Sequence, residues 1–439
     1  MTDQFKIDKS IALEEAQIMQ KAPEEAHIEQ EAPKRHILNK NPEDPHIERE
    51  APEEAQPVGY KWVFVRKRNE NNEIIRYKAR LVAQGFSQRP GIDYEETYSP
   101  VMDAITFRFL ISLAVSEGLD MRLMDVITAY LYGSMDNDIY MKIPEGFKLP
   151  DANNTKPRSM YSIKLQRSLY GLKQSGRMWY NRLSEYLLKE GYVNNPICPC
   201  IFIKKSETGF AIIAVYVDDL NLVGTPEELT RTTNYLKKEF EMKDLGKTKF
   251  CLGLQIEHFP NGVLVHQSTY IKKVLKRFYM DKAHPLSSPM VVRSLDVKKD
   301  PFRPCEKMKS YLVLNKIQFR SNSKTLEWYQ TYIALSSRTT DMGLFYSRES
   351  KQQLLGYADA GYLSDPHKGR SQTGYVFNCN GTAISWRSVK QTMVATSSNH
   401  SEILAIHEAS RECIWLRSMI QHIRESCGLS SIKGDPTII

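Results

Sequence analysis

Apolar and polar positions between residues 57 and 290 follow short periods that predict a mixture of strands and helices. Strands are predicted for GYKWVFVRKR and IIRYKARLVAQGF, which flank the turn-like NENN, and for MRLMDVITAYLYG, which leads into a turn or short helix. Helices are predicted for AITFRFLISLAVSEG, MWYNRLSEYLLKEG, PEELTRTTNYLKKEFEM and TYIKKVLKRFYM, the second with Tyr180, Leu183 and Leu187 on one face. Two hairpins are predicted, FAIIAVYVDDLNLVG with acidic residues at its tip and KFCLGLQIEH with GVLVHQ.

The pattern deteriorates after about Ser287, and residues 306–338 show little consistent periodicity. It returns at Leu354, where LLGYADAGYL and GYVFNCNGTAISWRS predict strands and SEILAIHEASRECIWLRSMIQHIRE predicts a long helix. The chain is therefore predicted to contain two α/β modules separated by a poorly patterned stretch.

Residues 1–56 repeat a short unit, as in KAPEEAHIEQ, EAPKRHILNK and NPEDPHIERE, with proline at positions 23, 33, 42 and 52. Each unit offers one isoleucine and no aromatic residue, so stacked units would bury almost no apolar surface, and the prolines break helices. The pattern predicts a disordered acidic linker, with a partner-binding tail as the alternative.

Composition narrows the class of protein. Hydrophobic residues make up 41% and charged residues 26% of the 439, which is typical of globular proteins. No apolar run approaches the roughly 18 residues of a membrane span, and the start MTDQFKIDKS lacks the apolar region of a signal peptide. We expect an intracellular protein, in a cytoplasmic particle or the nucleus, that is neither secreted nor membrane-bound.

Charge and cysteine content add two expectations. The net charge is +8, and residues 1–56 carry a local charge of −7, so the rest of the chain carries +15. A basic folded part favours a polyanionic partner such as nucleic acid. The seven cysteines are scattered, and only Cys198 and Cys200 are close. A C-x-C pair without a second Cys/His pair is poor evidence of zinc, so reduced thiols are expected.

Three aspartates carry the candidate chemistry. Asp218 and Asp219 lie at the tip of the first predicted hairpin, and Asp125 ends another predicted strand. Phosphoryl transfer to a primer 3′-hydroxyl uses two divalent metals roughly 4 Å apart, and Mg²⁺ prefers carboxylate oxygens and water. The alternative for an isolated Asp-Asp pair is a polar turn; the apolar flanks and the neighbouring Tyr216 favour the metal-binding interpretation.

Four blocks then identify a family: YKARLVAQGFSQRPGIDYEETYSPV, LMDVITAYLYGSMDNDIYMKIPEGF, SLYGLKQSGRMWYNRL and AVYVDDLNLVG. With these blocks in this order, residues 57–305 and 338–439 resemble the reverse transcriptase region of copia-type LTR retrotransposon polyproteins. The resemblance implies an α+β fold: a right-hand polymerase with fingers, palm and thumb, then a truncated ribonuclease H-like α/β domain.

The resemblance also implies roles for single residues in catalysis. Asp125 and Asp218 match the two palm carboxylates that hold the metals, and Asp219 completes the catalytic YVDD motif as a supporting residue. Lys78 and Arg80 match a basic fingers strand that neutralises the incoming triphosphate, a role suited to side chains that contact phosphate oxygens.

Further positions match nucleotide- and duplex-binding parts of the family. Tyr132 and Gly133 are expected near the nucleotide sugar, where a bulky group excludes the ribose 2′-hydroxyl. Gln174 is expected near the nucleotide and template, although the chain has Ser175–Gly176 where the family often has Ala-Pro. LGLQIEH matches the primer grip, and TYIKKVLKRFYM begins the thumb, with cations for duplex phosphates at Lys272, Lys273, Lys276 and Arg277.

The C-terminal module resembles the family's ribonuclease H domain, which holds two metals with about four acidic residues. Asp359 in YADAGYLSD and Glu402 in SSNHSEILAIHEA match the first two of these residues. The next carboxylate of the family falls beyond the last residue of this sequence, and Asp435 does not lie in the expected motif. We therefore predict that ribonuclease H activity is absent.

Two regions differ from the family in ways that suggest damage. Between FRPCEK and TTDMGLFYS, the segment MKSYLVLNKIQFRSNSKTLEWYQTYIALSSR replaces a longer connection. Codons for TLEWYQTYIALSS can be read in a neighbouring frame as HWNGIKHILRYLR, which resembles the family before TTDMGLFYS, so a deletion with a local frameshift is inferred. At the amino end, linker-like repeats adjoin PVGYKWVF directly, where the family has an additional fingers segment.

The expected organisation has four parts: residues 1–56 a disordered linker, 57–290 the reverse transcriptase, 291–345 a damaged connection and 346–439 the truncated ribonuclease H-like domain. The expected function is an RNA-directed DNA polymerase that uses Mg²⁺ or Mn²⁺, a primed RNA or DNA template and deoxynucleotide triphosphates, with the chain expected to be a degenerate fragment. The alternatives are an inactive remnant that binds nucleic acid through its basic surface, and a stand-alone ribonuclease H. Oligomeric state is left open.

Overall fold

A computed structural model describes residues 47–48, 56–68, 73–147, 161–282, 311–314, 317–320, 336–349, 353–365, 368–431 and 437–438. The chain divides into two units. One consists of Met1–Pro100 and Val126–Gly191, and the other of Val101–Asp125 and Tyr192–Ile439.

The described residues form strands, many of them consecutive along the chain, and a smaller number of helices. The strands are β1 (Ile47–Glu48), β2 (Tyr60–Arg68), β3 (Ile74–Ala83), β4 (Asp120–Val126), β5 (Tyr140–Lys142), β6 (Ser162–Lys164), β7 (Val193–Asn194), β8 (Ile201–Lys205), β9 (Phe210–Tyr216), β10 (Asp219–Gly224), β11 (Met242–Lys247), β12 (Phe250–Cys251), β13 (Leu254–Phe259), β14 (Gly262–His266), β15 (Tyr311–Leu314), β16 (Ile317–Arg320), β17 (Gly343–Ser347), β18 (Leu354–Asp365), β19 (Arg370–Cys379), β20 (Thr382–Lys390) and β21 (Thr437–Ile438). The helices are α1 (Ala104–Ser116), α2 (Ser175–Lys189), α3 (Pro226–Glu239), α4 (Ser268–Arg277) and α5 (Ser398–Cys427).

In the first unit, β2 and β3 pair as the predicted antiparallel hairpin. A second small sheet has the order β1-β6-β5, and its neighbourhood contains a cluster of buried side chains that includes Leu131, Met141 and Leu165. Helix α2 is amphipathic as predicted, but Trp179 is buried beside Leu183 and Leu187, whereas Tyr180 is half-buried. The predicted face is therefore confirmed at Leu183 and Leu187, but the buried aromatic residue is Trp179 rather than Tyr180.

The second unit is built around a six-stranded sheet with the order β11-β4-β10-β9-β8-β7. Strands β9 and β10 are almost completely buried, in agreement with their continuous apolar runs. Helix α1 begins after Asp103, whose carboxylate accepts a hydrogen bond from the N–H of Thr106 at 2.7 Å. The helix is buried on all sides from Thr106 to Val115, as expected for a mainly apolar sequence, although Arg108 and Ser112 are among its buried residues.

This unit also contains the two-stranded β15–β16 sheet and two four-stranded sheets. One has the order β12-β13-β14-β17 and contains the predicted β13–β14 hairpin. The other has the order β20-β19-β18-β21, with β18, β19 and β20 antiparallel and β21 parallel to β18. Helix α5 packs against β18 and β19. Its buried side chains recur at helical spacing, including Ala405, Ala409, Leu416 and Ile420.

Parts of the predicted organisation lie outside the described residues. These include most of the linker at 1–56, of which Ile47–Glu48 forms the short strand β1, and much of the altered connection at 291–345. The two units also divide the chain differently from the predicted domains, because Val101–Asp125 joins Tyr192–Ile439. Among the described residues, no helix combines the length and apolar character needed to cross a membrane.

Candidate catalytic site

The hairpin of β9 and β10 carries two of the predicted catalytic residues. Its strands are apolar and β-rich, and they lie in the middle of the six-stranded sheet, with β8 on one side and β4 on the other. Tyr216 pairs with Asp219, so the connection consists of Val217 and Asp218 alone. The two acidic residues therefore lie at the rim of a buried, rigid sheet.

Val217 occupies an unusual backbone conformation at this tip. Its φ angle is 55°, in the left-handed region that a β-branched residue rarely adopts. Such a residue costs about 1–3 kcal/mol and persists only where surrounding structure fixes it. Here the ladders on both sides of the hairpin supply that constraint, so the tip that presents Asp218 is held in one defined shape.

Asp125 is brought to the same place by strand register. Strand β4 pairs antiparallel with β10, and Asp125 is the direct partner of Asp219. Side chains of directly opposite residues project from the same face of a sheet, with Cβ atoms about 4.5–5.5 Å apart. The ladder thus places two carboxylates side by side, although 93 intervening residues of sequence lie between them.

The electrostatics agree with this crowding. Burial, and then the negative charges of Asp218 and Asp125, raise the pKa of Asp219 to about 6. Carboxylates that repel one another in this way are a suitable donor set for a hard divalent cation. As they stand, no three acidic, histidine or cysteine side chains in the described part of the chain form a group that could hold a metal ion.

A polar residue that the sequence pattern did not single out lies one pleat below Asp219. Asn221 is 1% exposed, and its Nδ2 donates a hydrogen bond to Sγ of buried Cys251 at 3.1 Å. Its Oδ1 is buried without a hydrogen-bond partner. The signal in the sequence was the single polar position within the apolar run LNLVG.

Lys78 and Arg80 lie on β3 of the first unit, two residues apart and half-buried. The guanidinium of Arg80 lies over the ring of Tyr170, 5.7 Å from its centroid. Arg76 occupies the preceding position of the same strand face, and the alternation in RYKAR could have identified it. The first unit therefore offers a row of three basic residues rather than the predicted pair.

Tyr132 and Gly133 end a 3₁₀ helix, Ala129–Tyr132, in the first unit. The Tyr132 ring packs against that of Trp179, with centroids 5.9 Å apart. A Cβ atom at Gly133 would lie 2.7 Å from Cβ of Met178, so only glycine fits there without movement. Both residues fix the approach of this segment to α2; a contact with a nucleotide sugar stays a prediction.

Gln174 is fully buried at the start of α2. Its Nε2 donates to the Asp93 carbonyl oxygen at 2.9 Å, and its Oε1 accepts from Nε2 of Gln88 at 3.0 Å. Gln88 in turn accepts a hydrogen bond from the Lys173 N–H at 2.8 Å. The side chain thus ties the segment 88–93 to α2, and its predicted place near nucleotide and template stays untested.

The two acidic residues predicted for the ribonuclease H-like domain do not lie directly opposite each other, as Asp125 and Asp219 do. Asp359 is exposed on β18, and Glu402 is half-buried on α5. Within the described residues, no hydrogen bond or ion pair joins the two side chains.

Comparison with known proteins identifies the family. The family model described as "Reverse transcriptase (RNA-dependent DNA polymerase)" matches residues 48–292, more than half of the chain. The Pol polyprotein of transposon TNT 1-94 from Nicotiana tabacum is 34% identical over 84% of this chain and 30% of its own length. The Pol polyprotein of transposon RE1 from Arabidopsis thaliana is 32% identical over 83% of this chain and 26% of its own.

The chain thus spans less than a third of the length of these relatives. A solved foamy viral protease–reverse transcriptase in complex with double-stranded DNA matches 81% of this chain and 55% of its own, at 12% identity. Its TM-score of 0.22 is too low to support a structural argument. On the family model and the plant relatives, the chain belongs to the reverse transcriptase family, in the form found in copia-type retrotransposon Pol polyproteins.

Proposed function

We propose that this chain is the RNA-directed DNA polymerase portion of a copia-type retrotransposon. One observation carries the proposal: Asp219 pairs directly with Asp125 across β10 and β4, beside the hairpin tip that holds Asp218. Two carboxylates on paired strands and a third at the adjoining hairpin tip are the kind of arrangement that nucleotidyl transfer needs. A polar surface turn would require neither the register with β4 nor the fixed backbone of Val217.

Asp125 and Asp218 would hold Mg²⁺ or Mn²⁺, because ionised carboxylates are the ligands that these cations prefer. When bound, the cations supply charge neutralisation on the triphosphate and a lower pKa for the primer 3′-hydroxyl. Asp219 would keep the electrostatic field at the tip negative and so favour cation binding. The fixed sheet would orient the two ligand carboxylates without reorganisation during the reaction.

The substrates would be a primed RNA or DNA template and deoxynucleotide triphosphates. Lys78 and Arg80, with Arg76 in the same row, would contact phosphate oxygens of the triphosphate. Tyr132 and Gly133 would border the sugar, and Gln174 would support that segment from within. The primer grip would be the β13–β14 hairpin, and α4 would offer the duplex phosphates its exposed cations Lys272, Lys273, Lys276 and Arg277.

The C-terminal sheet and α5 would be the start of a ribonuclease H-like domain. The order β20-β19-β18-β21, with β21 parallel to β18 after α5, is compatible with that fold. Asp359 and Glu402 would be the first two acidic residues of that domain. The protein would act inside the cell, where the retroelement's RNA is copied.

We also propose that the chain is a degenerate fragment with a frameshifted connection. The proposal rests on TLEWYQTYIALSS, whose codons can encode HWNGIKHILRYLR in a neighbouring frame. Sequencing the underlying DNA tests it. Codons that spell the second reading support a local frameshift, whereas codons incompatible with that reading exclude it.

An inactive remnant that only binds nucleic acid is the second candidate. It is favoured by the exposed cations of α4 and by the failure of the described acidic residues to form a ready three-ligand group. Such a protein would bind DNA or RNA with strong salt dependence, because phosphate contacts release counterions. It would not extend a primer at any salt concentration.

Primer extension separates the two candidates. Purified protein is incubated with a primed homopolymer template, labelled nucleotide and Mg²⁺ or Mn²⁺, and compared with Asp218→Asn. Asp120→Asn is the matched control, because Asp120 is an exposed residue at the opposite end of β4. Extension by the parent and Asp120→Asn, and not by Asp218→Asn, supports the polymerase. Binding without extension by any of the three supports the remnant.

A further inference from the structure

Helix α1 of the polymerase core carries an arginine that is satisfied by the C-terminal module, meaning the described residues between 343 and 431. Arg108 is only 9% exposed, and its Nε donates to the Ile384 carbonyl oxygen at 2.6 Å. Its guanidinium carbon lies 4.1 Å from the ring centroid of Trp386. A buried guanidinium without such partners is strongly unfavourable, so α1 depends on β20 for its only internal charge.

Polar contacts continue along the same helix. The Ser112 hydroxyl donates to the Cys379 carbonyl oxygen at 3.4 Å and accepts a hydrogen bond from Nδ2 of Asn380 at 3.1 Å. Just beyond the helix, Glu117 forms an ion pair of 3.0 Å with Arg424 of α5. The side chains of these two residues are 19% and 3% exposed, so the pair is shielded from water.

The two parts also share their apolar interior. Oγ1 of Thr106 on α1 lies 3.7 Å from Sδ of Met419 and 3.7 Å from Sγ of Cys198. Strand β17 of the module extends the sheet of β13 and β14 as an edge strand. A single cluster of buried side chains joins both parts, with members Phe107, Ile111, Ile201, Leu416, Ile420 and Ile423.

Helix α1 is in turn connected to the catalytic hairpin. The N–H of Met102, just before the helix, donates to the Val215 carbonyl oxygen at 2.8 Å, one residue before Tyr216. The N–H of Val215 donates to the Cys200 carbonyl oxygen at 2.9 Å. Contacts therefore run from β20 and α5 through α1 to the strand that leads to Asp218.

We propose that the C-terminal module works as a scaffold of the polymerase core, holding α1 behind the catalytic hairpin, and that its role in this chain is independent of RNA cleavage. A separable nuclease domain would have a solvated surface toward the polymerase, with its own core. Here the polymerase core and the C-terminal module are joined by the buried Arg108, by the Glu117–Arg424 ion pair and by one common apolar cluster. The link to polymerase activity rests on the proposed function, whereas the link to folding does not.

Charge reversal in the full chain tests the scaffold. Glu117→Arg and Arg424→Glu each leave a like-charge pair at a shielded position and should lower Tm by roughly 5–15 °C. The double variant restores the pair in reverse and should recover about half of that loss, because Arg424 also donates to the Ser430 carbonyl oxygen. Unchanged Tm in both single variants, or no recovery in the double variant, overturns the scaffold.

Amide hydrogen exchange gives a second readout should a reversed variant fail to fold. Trp386 is 51% exposed, so Trp386→Ala removes the ring that covers the Arg108 guanidinium, without emptying the core and with the hydrogen bond to the Ile384 carbonyl oxygen left in place. It should speed exchange of residues 106–116 by about tenfold. Tyr362→Ala, a comparably exposed aromatic of β18, is the control. Equal exchange in α1 for both variants overturns the scaffold, whether or not the parent extends primers.

Discussion

Two sets of acidic residues were predicted from sequence, and the structure treats them differently. Asp125, separated in sequence from Asp219 by many residues, becomes its direct cross-strand partner because β4 and β10 pair in that register. Asp359 and Glu402 lie on a strand and a helix that pack together, yet Asp359 is exposed and no described contact joins the pair. Elements that meet do not by themselves create a site; register and burial decide whether carboxylates interact.

The strongest way to break this contrast is mutation of both acidic sets. Asp125→Asn should reduce primer extension by at least about 10³-fold, since a carboxylate that holds a catalytic metal contributes to the transition state. Asp359→Asn and Glu402→Gln should change extension by less than about twofold, because surface substitutions have small effects. The measurement is the initial rate with saturating primer–template. Equal losses from Asp125→Asn and Asp359→Asn would contradict the assignment.

The pH dependence of the free energy of unfolding gives a second test of the Asp125–Asp219 cluster, with a smaller expected effect. The folded-state pKa of Asp219 is about 6, above the ordinary value of 3.8. The stabilising contribution of the protonated carboxyl is therefore complete below pH 3.8 and is lost as pH rises through about 6. In the absence of divalent cations, Asp219→Asn should be more stable than the parent at pH 8 by about 1 kcal/mol, after allowance for partial solvent exposure.

The same advantage should shrink as the pH is lowered through the range between 6 and 3.8. Urea denaturation at pH 5 and pH 8 measures it, with Asp359→Asn as the exposed control. A stability difference for Asp219→Asn that does not vary with pH would mean that Asp219 is not crowded by its neighbours.

The smallest expected effect concerns the residue beneath the catalytic carboxylates. Asn221→Leu removes a buried oxygen that lacks a hydrogen-bond partner, at the loss of one hydrogen bond to Cys251. The free energy of unfolding should rise by up to about 1 kcal/mol, because an unsatisfied buried polar group costs about 1–3 kcal/mol. Denaturation with urea measures the change. A loss of about 2 kcal/mol or more would show that the amide is needed.

Local structure was largely predictable from the sequence, because it depends on periodicity within single segments. The β9–β10 hairpin, the β2–β3 hairpin and the helices α1, α3 and α5 all follow their hydrophobic patterns. On α2, Leu183 and Leu187 are buried as predicted, but Trp179 is buried in place of Tyr180, because tertiary packing decides between these two adjacent aromatic residues. Patterns of this kind do not distinguish which of two adjacent aromatics is buried.

Long-range contacts were beyond the sequence pattern. The proximity of Asp125 to Asp219 was expected only through the family resemblance, because periodicity does not report strand register. Arg108 and Trp386 are separated by hundreds of residues, and the sequence pattern gives no sign that the arginine is buried against the tryptophan ring. Likewise, the sequence pattern did not predict that the second unit would contain residues from both the predicted reverse transcriptase domain (57–290) and the predicted ribonuclease H-like domain (346–439).

Counting bound Mn²⁺ by electron paramagnetic resonance tests whether the carboxylates of β4 and the hairpin tip share cations. The parent, Asp120→Asn and Asp359→Asn should each bind at least one ion per chain, by reference to the two metals of nucleotidyl transfer. Asp125→Asn and Asp218→Asn should lose that ion. Equal Mn²⁺ binding by all five proteins would contradict a metal site formed by Asp125 and Asp218.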